Sequence, residues 1–269
     1  MLQRIPHSHY NLYFIFNQYK QLLLNIFFIF LFLPSPLSIS AEETGNLSSV
    51  RDMLKSGKIS EASALLQKEV IDNPGNAEAH LLLGRTYLLE ANEVRAVEEF
   101  DKASSIKEDY KKSISSEYFE SGLILIKNPK RSNIGLHYLN KYLLENQDKT
   151  KEVASILYKE GFDMTLSNKF MSHVILDRAK ELNPSYENDE EFYFAYSVKS
   201  AHKPDKVVKG GEEFLSKFPK SSHAPEVLYL MGEASLELRK PQDSRKYFKQ
   251  AYDEFPETEW GEKAKEKLK

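Results

Sequence analysis

The chain has no cysteine. That excludes disulfide cross-links, thiol nucleophiles, Cys-ligated zinc and lipid attachment at an N-terminal cysteine. It also lacks an excess of positive charge: 37 Lys and Arg stand against 40 Asp and Glu, for a net charge of -3. A nucleic-acid binder would need a basic stripe. Histidine is sparse and scattered. Beyond residue 41 the histidines are His80, His137, His173, His202 and His223, and no two fall within four residues, so no helix face offers paired imidazoles to a metal. Gly210-Gly211 is followed by Glu212-Glu213, without the Lys-Ser/Thr of a phosphate loop, and no serine sits in a Gly-x-Ser-x-Gly turn. Carboxylates cluster at Glu98-Glu99 and Asp189-Glu190-Glu191, and solvated helix faces account for them. The expectation is no catalytic residue, no metal site, no cofactor and no enzymatic activity.

Long apolar runs are also scarce. One stands out, QLLLNIFFIFLFL over residues 21–33, preceded by Lys20 and ended by Pro34 and Pro36 before Leu-Ser-Ile-Ser-Ala. A basic residue, a short apolar run and a small-residue exit predict a signal peptide over 1–41, cut after Ser40 or Ala41. The run is short of the roughly 20 residues a membrane-spanning helix needs. The alternative is an uncleaved anchor. Removal of residues 1–41 takes away Arg4 and Lys20 and no acidic residue, which leaves a net charge of -5. The expected location is outside the inner membrane, in the periplasm or at the outer membrane.

From residue 42 onward the chain repeats. In AEAHLLLGRTYLLEANEVRAVEEFDKA, two helical segments meet at Ala91-Asn92-Glu93. Leu83, Gly84 and Tyr87 fall on one face of the first segment, and Ala96, Phe100 and Ala103 on one face of the second. Gly84 and Ala96 are small where two antiparallel helices approach; Tyr87 and Phe100 fill the flanks. Corresponding small or marker residues are Val50, Gly84, Gly122, Gly161, Ala195 and Gly232, spaced by 34, 38, 39, 34 and 37 residues. Pro74, Pro184, Pro219 and Pro256 follow four of these markers by 23 or 24 residues, where each stops a second helix. Gly57, Asn128-Pro129 and Lys203-Pro204 mark turns within units, and Pro241 opens a helix. The double glycine at 210–211 reads as close helix packing. Trp260, Ala264 and Leu268 recur at four-residue intervals among Lys and Glu, which predicts an amphipathic capping helix over 257–269. The longest spacings lead into units three and four and unit three has no closing proline, so local opening is expected first within residues 111–168.

Leu83-Gly84, Tyr87, Ala96, Phe100 and Ala103 resemble the tetratricopeptide repeat (TPR) pattern, with Glu108 where the family has its closing proline. The two C-terminal units, with Phe218-Pro219-x-Ser221, Ala224-Pro225-Glu226 and Phe255-Pro256-x-Thr258 leading to Trp260, resemble repeats of bacterial envelope proteins. Those include the Tol–Pal-associated periplasmic repeat protein and the outer-membrane β-barrel assembly lipoprotein. The resemblance implies an all-α fold: an α-solenoid of about six TPR-like helix-turn-helix repeats over 42–269, with a capping helix.

In such an array the first helices line the concave side. Positions three before and one after each marker share a face. From unit two onward these are Leu81, Phe119, Tyr158, Phe192 and Tyr229, then Arg85, Leu123, Phe162, Tyr196 and Glu233. With Tyr193 they form an aromatic ladder through units three to six. The expected partner-binding groove is Phe119, Tyr158, Phe162, Phe192, Tyr193, Tyr196, Tyr229 and Glu233, with Lys199, Glu226 and Glu237 setting register. Leu81, Arg85, Phe119 and Leu123 do not supply the Lys and Asn of the carboxylate-clamping subtype. The expected role is a non-enzymatic scaffold in the bacterial cell envelope that binds protein partners, not nucleic acid. The alternatives are an accessory subunit of a cell-wall-active enzyme system, or a membrane-anchored adaptor if the N-terminal segment is retained.

Overall fold

Helix length is set by sequence punctuation, and the punctuation recurs. In the computed structural model, which describes residues 47–269, thirteen α-helices and no strand are found among the described residues. The expected signal segment, residues 1–41, lies outside the described residues. Six hairpins follow one another: α1 (Ser48–Lys55) and α2 (Ile59–Asp72), α3 (Ala77–Leu89) and α4 (Glu93–Ile106), α5 (Tyr110–Ile126) and α6 (Ser132–Glu145), α7 (Thr150–Asp163) and α8 (Lys169–Leu182), α9 (Glu190–Phe194, continued by a π-helical turn, Ala195–Lys199) and α10 (Pro204–Lys217), α11 (Ala224–Glu237) and α12 (Pro241–Glu254). The last helix, α13 (Glu259–Lys267), covers the end of the stack. The fold is the all-α solenoid of TPR-like hairpins that the sequence pattern implies.

Starts and stops have local causes. Asn76, Asn168 and Asp189 accept backbone N–H groups of Ala79 (3.1 Å), Met171 (3.1 Å) and Phe192 (2.8 Å), which satisfies donors that a helix start leaves free. Pro74, Pro184, Pro219 and Pro256 each stand two residues past a second helix, and Pro204 and Pro241 open α10 and α12. The turns inside units one, two and six share one geometry. Gly57, Ala91 and Arg239 take φ of 78°, 63° and 57°, and the next residue's N–H reaches back to the carbonyl of Met53, Tyr87 or Ser235. This is the left-handed helix stop that glycine adopts most cheaply.

The small-residue contacts fall where expected. A Cβ on Gly84 would collide with the Phe100 ring; on Gly122 it would meet Leu139, on Gly161 Leu176 and on Gly232 Phe248. Ala195 and Val50 fill the same place in their units and are buried. Gly210 has a special cause. The π turn pushes the Ser197 carbonyl into α10, and any Cβ at position 210 would occupy the same space. Such insertions re-aim the residues around them. The capping helix buries Ala264 and lays Trp260 against Tyr229, ring centroids 5.2 Å apart. One apolar cluster runs from Ile126 to Ala195 and another from Phe194 to Ala264, so each unit shares its core with the next.

Candidate partner-binding face

First helices meet their successors in two ways. One is by charge. Arg51 of α1 bonds Glu78 of α3 at 3.1 Å, Arg85 of α3 bonds Glu117 of α5 at 3.3 Å and lies 3.6 Å from Glu120, and Lys127 just after α5 lies 3.7 Å from Glu160 of α7. Further on, Lys199 bonds Glu226 at 2.6 Å, and Lys267 of the cap lies 2.9 Å from Glu233. Lys199, Glu226 and Glu233, expected to hold a partner in register, thus bridge units of this chain. Arg85 and Glu117 are buried, and burial pushes the Glu117 carboxyl above its ordinary range although Arg85 pulls the other way.

The other way is by rings, between α7 and α9. Tyr158 lies 5.0 Å from Phe192 and 5.4 Å from Tyr186, Tyr186 stacks on Phe192 at 4.8 Å, and Phe192 faces Tyr196 at 6.0 Å. Tyr196 then stacks on His173 at 4.8 Å. The Tyr196 hydroxyl donates to Asp177 at 2.9 Å and accepts from Lys180 at 3.2 Å, which ties unit five to unit four. Burial lowers the His173 pKa and raises the Tyr158 phenol to about 12, the latter helped by Asp189 and Glu191.

The structure brings the middle of the expected ladder together as packing. Phe192 is fully buried, so its expected place on the groove surface is corrected: the position three before Ala195 points into the junction. Tyr196 and Tyr158 are half-buried parts of the same cluster. Tyr193 sits apart from it, against Phe214 and Phe218 with Lys217 over its ring at 4.7 Å. Phe119 packs on Tyr142 at 4.7 Å, and Tyr229 on Trp260 and Phe248. Phe162 is the most open of the predicted aromatics, 41% exposed.

Two neighbours of Phe162 were missed. Leu166 is 85% exposed and Phe170 55%; both follow at four-residue steps through the α7–α8 turn. Large apolar residues in and beside a turn are the signal, which a groove register confined to first helices passes over. Beside Leu166 a cleft of about 330 Å³ opens between this turn, residues 198–207 and the end of α11. Among the described residues no cluster of His, Asp and Glu is set to hold a metal, and no helix is long and apolar enough to cross a membrane.

Three solved structures show similarity to this chain at low identity. The type IV pilus biogenesis factor PilW is 17% identical, covering 83% of this chain and 98% of that one, with a TM-score of 0.38. PilF of Pseudomonas aeruginosa is 15% identical, covering 82% and 95%, with a TM-score of 0.33. YrrB, described as a TPR protein with an unusual peptide-binding site, is 19% identical, covering 75% and 97%, with a TM-score of 0.39. These values are too low to carry a function across. No curated protein matches the chain. Residues 48–109, units one and two, match the tetratricopeptide repeat family, and the hairpins that follow repeat the same close helix contact.

Proposed function

We propose that the chain is a non-catalytic scaffold that holds a segment of a partner protein against the α7–α8 turn of unit four and the adjoining surface of units five and six. The observation that carries this reading is the run of exposed apolar residues Phe162, Leu166 and Phe170, of which Leu166 lines the cleft and Phe170 lies against its His202. Apolar side chains exposed together are a mark of an interaction surface. Tyr158, 6.4 Å from Phe162, and Tyr196 belong to the packed ring cluster beside it, and rings locked by packing lose little entropy on binding. Glu233 lines the cleft. TPR repeats in general bind proteins, in keeping with a partner that is a polypeptide.

The cellular reading is export to the bacterial envelope, with residues 1–41 removed and 42–269 as the working domain. Its support is the Lys20, apolar-run and small-residue order of the N-terminal segment, and the resemblance of the two C-terminal units to envelope repeats. The partner is then an envelope protein. The test is recovery of partners from envelope extract with the wild-type chain and with Phe162→Ser/Leu166→Ser, both at equal helicity by circular dichroism. The expected result is loss of the partners that the wild type recovers. Equal recovery by the double variant would overturn the surface assignment, and a retained N-terminal segment with cytoplasmic partners would overturn the location.

A further inference from the structure

The cleft beside Leu166 has a chemistry of its own. Its floor is apolar: Val198, Ala201, Val207 and Ala234 are buried, and Leu230 packs on them. Its volume, about 330 Å³, is at the small end for a ligand site and suits one large side chain with its neighbours. The rim is charged, but part of that charge is already committed. Lys199 is bonded to Glu226 at 2.6 Å and Glu233 lies 2.9 Å from Lys267. His202 lies edge-on to Phe170, centroids 5.4 Å apart.

That leaves Lys169, Lys203 and Glu237 on the rim, none of which has an ion-pair partner among the described residues. Asp205 stands two residues beyond Lys203 and does not line the cleft. Two unpaired cations, Lys169 and Lys203, therefore face the cleft against one unpaired anion, Glu237. The chain as a whole is acidic, at -3, so the attraction for negative charge here is local and not a property of the net field.

We propose that the cleft takes an acidic, apolar stretch of a partner polypeptide: one large apolar side chain on the Val207 and Leu230 floor, flanked by Leu166, with an adjacent Asp or Glu facing Lys169 and Lys203. This rests on the scaffold reading above and names the partner chemistry of the same face. Apolar burial supplies most of the affinity in such a site, while the paired charge selects the partner and quickens encounter.

The experiment is selection of a phage-displayed random peptide library on the full chain, followed by fluorescence anisotropy of the enriched peptides. Enriched peptides are expected to place Asp or Glu beside Leu, Phe or Met. Lys169→Glu/Lys203→Glu is expected to weaken them by about tenfold or more, and raising salt from about 50 to about 300 mM to weaken them as well. Leu166→Ser is expected to do the same without charge change. Peptides of neutral or basic character, unaffected by the lysine variant yet lost with Phe162→Ala/Tyr158→Ala, would overturn this inference and leave the scaffold reading intact. Absence of enrichment, or binding indifferent to every one of these variants, would count against both.

Discussion

The junction between α3 and α5 and the junction between α7 and α9 do the same job with opposite chemistry. The first buries Arg85 with Glu117, a charged pair taken out of water. The second buries Phe192 among Tyr158, Tyr186 and Tyr196. An ion pair in a low-dielectric place is costly to break but adds little over an apolar replacement, because desolvation offsets the attraction. A buried ring gains its whole surface in contact and has no polar alternative. The ring junction is therefore the stronger clamp, and it lies under the face proposed to bind a partner.

The comparison can be broken by mutation, and the largest effect is expected at Phe192. Phe192→Ala should cost about 4 kcal/mol in denaturant unfolding, with units four and five losing protection from hydrogen exchange first. Arg85→Ala comes next, at about 3 kcal/mol, since it leaves Glu117 buried without its partner. The joint change Arg85→Met/Glu117→Leu should restore most of that loss. If it does not, the pair contributes more than its geometry suggests.

A smaller effect, of opposite sign, is expected at a turn. Ala91→Gly relieves a left-handed backbone position, φ 63°, and should stabilise the chain by about 1 kcal/mol. A loss of stability there would show that the Ala91 side chain does something its position does not reveal.

Acid separates the two junctions by sign. The folded-state pKa of His173 is lowered by burial, so the unfolded chain takes up a proton first. The ring junction then loses stability as pH falls below 6.5, the ordinary histidine value. Glu117 is shifted upward by burial, so its folded form takes up a proton first. Its unfavourable contribution at neutral pH is relieved as pH falls through its raised value toward 4.5. Exchange free energies of α8 and α9 amides, corrected for intrinsic rate, should drop between pH 7 and 5.5, while those of α3 should not. A uniform response would erase the distinction.

Much of this architecture is legible in the sequence because small residues and prolines act locally. Gly84, Gly122, Gly161 and Gly232 sit at crossings that exclude a Cβ, and a proline after a helix stops it whatever lies nearby. The candidate face is less legible. Spacing places Phe162 of α7 and Phe192 of α9 on the same expected face, but the packing of Tyr158 and Tyr186 onto Phe192 decides which of them is covered. Phe192 went inward and Phe162 stayed out. Arg85 reads as a groove residue until Glu117 and Glu120, more than thirty positions away, close on it. The expected opening within residues 111–168 is a matter for hydrogen exchange: α3 packs on α5, while units three and four meet through α6, α8 and the turn Gln147–Lys149 and share one apolar cluster.

The most direct test of the central claim is site-specific photo-crosslinking in living cells. A photoreactive phenylalanine analogue would replace Phe162 in one strain and Val94 in another. Val94 is 73% exposed, on the second helix of unit two. The account predicts a protein adduct from position 162 and none from 94, with the adduct lost when Lys169 and Lys203 are changed to Glu. Adducts from position 94 alone would contradict it and move the binding surface to unit two.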